Sequence, residues 1–136
     1  MNTKLREFYD FFDSEMTLIP TTARDLDSFN RVDLLFKSYK ILNFGGIILN
    51  SDGLKDETWS RLINEKIDAV KPHLLALTEI IKEYCIISKL DCRIRLIEDF
   101  EVTYYLLIKD SQKNIESIEK IKREIVSPWL ISTGLD

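Results

Sequence analysis

The sequence predicts an α+β fold, with about four helices and one of them, long and kinked at a proline, packed on a small antiparallel β-hairpin. Two patterns predict it. Between Asp56 and Lys89 apolar residues recur in steps of three and four, the period of a helix with one buried stripe. From Cys92 to Lys109 the apolar residues alternate singly with others, the period of strands. The punctuation at Gly45-Gly46 and Asn50-Ser51-Asp52-Gly53 separates these segments from what precedes them.

Thr3 is placed to cap a first helix running to about Ser14, with Leu5, Phe8, Tyr9 and Phe12 on its apolar face. Thr17 to Thr22 carries Pro20 and reads as an extended connection. A second helical region is expected from about Arg24 to Asn43, where Leu26, Phe29, Val32, Leu35, Phe36, Tyr39 and Leu42 recur at threes and fours. Val32, Leu34 and Phe36 also alternate, so a strand competes there. Gly45-Gly46 would end that helix in the left-handed conformation. Ile47-Ile48-Leu49 suits a buried strand or packed loop, and Asn50 to Gly53 a turn.

The long helix, about 56–89, carries Trp59, Ile63, Ile67, Val70, Leu74, Leu77, Ile81 and Tyr84 as its stripe. At 1.5 Å per residue it would be roughly 50 Å long. Pro72 lacks the amide that would bond to the carbonyl of Asp68. The stripe keeps its phase across the proline, which favours one kinked helix over two.

In the hairpin, about 92–97 and 100–109, Cys92, Ile94 and Leu96 alternate with arginines. A three-residue loop, Ile97-Glu98-Asp99, would pair Leu96 with Phe100, Ile94 with Val102 and Cys92 with Tyr104, and set Arg95 across from Glu101. Ile47 to Leu49 offers a third strand. Asp110 or Ser111 is expected to cap a last helix with Ile115, Ile118, Ile121 and Ile125 as its stripe, stopped at Ser127-Pro128. The apolar tail Trp129-Leu130-Ile131 reads as docked.

The 136 residues fit one globular domain, 1–136. Such a chain buries roughly two thirds of the surface its unfolded form exposes, enough for a core without a metal or disulfide. The net charge of −4 gives phosphate backbones no overall attraction, which speaks against nucleic acid and favours a partner with a basic surface. The start, MNTKLREFYDFFDSE, lacks the apolar core of a signal peptide, and no apolar run approaches the ~20 residues of a membrane span. The expected location is cytoplasmic, with Cys85 and Cys92 as thiols.

No cofactor, metal or catalytic set emerges. The single histidine, His73, has Ala69, Val70, Ala76 and Leu77 as helical neighbours, none of which ligates a metal or orients an imidazole. Cys85 and Cys92 lack the spacing of a zinc site and read as buried small side chains. The glycine turns match neither a P-loop nor a dinucleotide fingerprint. Arg93, Arg95, Lys109, Lys120, Lys122 and Arg123 are interleaved with acids, as on an ordinary mixed surface.

The outer hairpin face offers more. Tyr105 and Leu107 stand beside Arg93 and Arg95, residue types that carry contact energy at interfaces, and Glu98, Asp99 and Glu101 cluster at the loop. These seven are the expected partner-binding residues. The expectation is a non-enzymatic cytoplasmic protein-binding module, of the kind found among inhibitors, antitoxins and immunity proteins. Two alternatives are a small enzyme or ligand-binding domain with a pocket between long helix and hairpin, and a helical scaffold that forms a homodimer through the long stripe. No family resemblance can be carried residue by residue.

Overall fold

The computed structural model describes residues 3–12, 16–32 and 36–135. The chain mixes helix and sheet, and it divides into two compact units, 1–64 and 65–136.

The first unit opens with α1, Thr3–Asp10. The side chains of Leu5, Phe8 and Tyr9 lie outside what is described, and the helix ends at Asp10, short of the expected Ser14, with Phe11 and Phe12 already beyond it. Residues 16–20 belong to no helix or strand, and Thr21 bridges Ile41 in parallel, with Ile41 N–H donating to the Pro20 carbonyl at 2.9 Å. The long second helix does not form. Among the described residues of this region only α2, Leu26–Asn30, is α-helical, started by Asp25, whose carboxylate accepts from Ser28 N–H at 2.7 Å. Leu34 and Leu35 lie outside the described residues, and neither Val32 nor Phe36 is in a strand. The next element is instead β1, Lys40–Leu42, antiparallel to β2, Ile47–Leu49.

The physical reason is that spacing by threes and fours is only half of a helix. Pairing 40–42 with both 47–49 and 20–22 satisfies the backbone while burying Leu42, Ile47 and Leu49. Gly45 does not end an α-helix. It sits at φ +91 in the tight turn 43–45 that joins the two strands, where a side chain would be strained. Ile47 to Leu49 therefore belongs to this small sheet, not to the later hairpin.

Asn50 to Gly53 is the expected turn, with the Asn50 side chain accepting from the amides of Asp52 and Leu54. Asp56 then caps α3, Glu57–Ile87, by accepting from Trp59 N–H at 2.8 Å. The Trp59 indole N–H donates to the Gly45 carbonyl at 2.8 Å, fixing the first turn of α3 on the first unit. The helix runs unbroken through Pro72.

In the second unit α3 packs on the hairpin. Leu77, Ile81 and Cys85 of α3 form a buried cluster with Ile121, and Cys92, Ile94, Leu106 and Ile108 pack against it. The stripe is not buried throughout, since Val70 is 44% exposed. The hairpin is β3, Cys92–Asp99, and β4, Val102–Asp110.

Its register departs from expectation. Leu96 faces Leu106, Ile94 faces Ile108 and Cys92 faces Asp110, so Cys92 is not opposite Tyr104, nor Leu96 opposite Phe100. Arg95 faces Leu107 instead of Glu101. The turn is Phe100-Glu101, both left-handed at φ 51 and φ 65. Left-handed two-residue turns match the twist of paired strands, and this register pairs eight positions, whereas the expected three-residue loop would leave Tyr105 to Lys109 overhanging. A bulge between Ile97 and Glu98 leaves Tyr104 without a position opposite.

The last helical run also differs. Asn114, not Asp110 or Ser111, caps α4, Ile115–Ile121, accepting from Glu116 N–H at 2.9 Å. One wide π turn, Lys122–Val126, leads into α5, Ser127–Thr133. Pro128 does not stop the helix, because in the first turn of α5 its missing N–H costs little. The stop is Gly134, at φ +68. The wide turn re-phases the run so that Ile125, Val126 and Trp129 all reach the Leu77–Ile121 cluster. Tyr84 donates to Glu124 at 2.5 Å, tying α3 to that turn and holding the Glu124 carboxyl below its ordinary range.

Candidate functional site

The register decides which hairpin residues stand together. Arg93 lies opposite Lys109 and Arg95 opposite Leu107, with both arginines exposed. Ile97 lies opposite Tyr105. At the other end Glu98, Asp99 and Glu101 surround the turn. Glu98 accepts from the Thr103 hydroxyl at 2.7 Å across the bulge. The hairpin is therefore unevenly charged, with Arg93, Arg95 and Lys109 toward its open end, beside Asp91 and Asp110 at the strand ends, and carboxylates alone at its tip.

The face is less open than alternation implies. On β3 the exposed residues are Arg93, Arg95 and Glu98, but on β4 Tyr105 and Leu107 are half-buried. Ile97 and Thr103 are almost wholly buried, at 3% and 2% exposure. Asp99 is half-buried as well. Burial and the neighbouring Asp99 carboxylate push the Tyr104 hydroxyl up. The open contact residues are thus Arg93, Arg95, Glu98 and Glu101, with the Tyr105 and Leu107 side chains half-buried beside them.

The other candidates fall in quieter places. His73 is exposed, its ring edge-on to Trp129 at 6.1 Å between centroids. Cys85 is buried and Cys92 half-buried, both as free thiols in hydrogen-bonding contact. Burial, first, and the partner thiol push Cys92 up to about 11. A thiol so held is a poor nucleophile near neutral pH. Among the described residues no group of three or more His, Cys, Asp or Glu could hold a metal ion. Of the α3 stripe, Leu77 and Ile81 are spent inside the chain and are not available to a second copy.

Sequence reasoning missed one concavity. A depression of about 300 Å³ lies where β4 meets α4, lined by Ile108, Ile115 and Ile118 with Lys109 and Lys113. It is not the pocket expected between the long helix and the hairpin. The available signal was Ile115, the first residue of the expected isoleucine stripe, which the structure leaves 75% exposed.

No helix among the described residues is long and apolar enough to cross a membrane. No protein-family model matches the chain, and no curated protein is significantly similar to it in sequence.

Proposed function

We propose that this chain is a protein-binding module that meets its partner with the β3–β4 hairpin. The observation that carries the reading is the uneven charge, with Arg93, Arg95 and Lys109 toward one end of the ladder and Glu98, Asp99 and Glu101 at the other. A partner with the opposite polarity would be steered and held in one orientation, because complementary charge sets register and on-rate more than affinity. Arginine beside Tyr105 and Leu107 supplies the residue types that dominate contact energy. The overall charge of −4 adds attraction for a partner that is basic elsewhere. An inhibitor, antitoxin or immunity-type role in the cytoplasm suits these features and the chain's small size.

The test is capture of partners from the source lysate by the whole chain, followed by calorimetry on the purified partner. Arg93→Glu with Arg95→Glu should lower affinity at least tenfold, since reversing paired charges costs more than about 1.4 kcal/mol. Glu79→Lys on α3, away from the hairpin, should leave it unchanged. A partner bound equally well by the charge-reversed hairpin would refute the proposed face, and no stoichiometric partner would refute the module.

A further inference from the structure

The depression between β4 and α4 has a chemistry of its own. Its floor is aliphatic, made of Ile108 on β4 and of Ile115 and Ile118 one helical turn apart on α4. Ile115 begins α4 and is 75% exposed, an unusual placement for the first residue of an apolar stripe. Lys109 and Lys113 line the same hollow, two cations in a chain whose overall charge is −4.

Asp110 beside them is ionised, so two lysines against one carboxylate leave the lining with one net positive charge. Asp110 spends its Oδ1 on the amides of Gln112 at 2.8 Å and Asn114 at 2.9 Å. Asn114 spends its side-chain oxygen on the Glu116 amide at 2.9 Å, so what its side chain has to offer a ligand is N–H donors. The hollow therefore combines apolar walls with donors and positive charge. A volume of about 300 Å³ is at the small end for a ligand site.

We propose that this hollow binds a small amphipathic carboxylate, with an aliphatic chain lying on Ile108, Ile115 and Ile118 and its head at Lys109 and Lys113. A neutral chain of the same length meets the isoleucines but leaves the ammonium groups to water. A short polar anion meets the lysines but covers no apolar surface. Only the amphipathic anion uses both. This site shares Lys109 with the proposed contact face, but its isoleucines and Lys113 lie outside that face, so neither proposal needs the other.

The probe is octanoate, with 1-octanol as the neutral match, titrated into the whole labelled chain and followed by amide NMR shifts. Octanoate should give saturable shifts confined to Ile108–Ile118, with affinity roughly tenfold above that of octanol, the value of a charge-assisted contact. Lys109→Gln with Lys113→Gln should remove that difference without weakening octanol. Ile115→Ser should weaken both ligands. These side chains are at the surface, so the variants should keep the wild-type amide spectrum elsewhere. Equal affinities for octanoate and octanol, shifts spread over other regions, or no saturation would each overturn the site, as would unchanged octanoate binding in the double-lysine variant.

Discussion

Cys92 shows how one buried side chain sets a pH limit. Its thiol ordinarily ionises at 9.0, and burial among Ile94, Leu106 and Ile108 beside Cys85 raises it to about 11. A raised acid pKa means that the folded chain holds the proton longer than the unfolded chain does. Between pH 9 and 11 the unfolded state loses that proton first, so stability falls across this window and levels above it. Thermal melts from pH 8 to 11 should show the decline, and Cys92→Ala should flatten part of it. Cys85, raised in the same direction, accounts for a remainder. An identical pH profile in the variant would mean that Cys92 is not the group responsible. The inward face of Cys92 was legible from alternation alone. Its contact with Cys85 was not, because that depends on how α3 lies on the hairpin.

Among the elements, the hairpin turn carries the clearest strain. Phe100 and Glu101 both adopt positive φ, where a Cβ crowds the backbone at a cost of roughly 1–2 kcal/mol per residue. Glu101→Gly should therefore stabilise the chain by about 1 kcal/mol in urea unfolding, whereas Glu101→Ala, which keeps the Cβ, should not. Equal effects of the two would show that the gain comes from removing charge. The same turn explains what sequence could and could not show. The inward set Cys92, Ile94, Leu96, Leu106 and Ile108 follows from alternation, and it survives a slip of the ladder by an even number of residues. The slip itself was invisible, since Phe100 reads as a strand residue and nothing local marks Tyr104 as a bulge. The last helix repeats the lesson. Ile121 and Ile125 of its expected stripe do reach the core, but Ile115 is 75% exposed, and the wide turn after Ile121 and the passage through Pro128 were chosen by packing on α3.

At the scale of the molecule each unit holds one of the two tryptophans, Trp59 in the first and Trp129 in the second. Trp129 packs against the Leu77–Ile81–Cys85–Ile121 cluster and so reports on it. Ile81 is fully buried, and Ile81→Ala should cost about 3 kcal/mol. In a Trp59→Phe background, Trp129 fluorescence against urea should show that loss as a lower midpoint with unchanged slope. A loss under about 1 kcal/mol would mean that the cluster is not the anchor of the second unit.

Sequence alone determined the long α3, its survival through Pro72, the existence of the β3–β4 hairpin and the inward placing of Leu77 and Ile81 on α3 and of Cys92, Ile94, Leu106 and Ile108 on the hairpin. These rest on periodicity sustained over many residues, which no neighbour can re-phase cheaply. Tertiary structure alone decided that 40–42 is strand, where the hairpin turns, how the cations and carboxylates divide along it, and that a hollow opens beside Lys113. Each of these depends on partners distant in the chain, and a pairing that satisfies more backbone and buries more side chain overrides a local preference worth only tenths of a kcal/mol per residue.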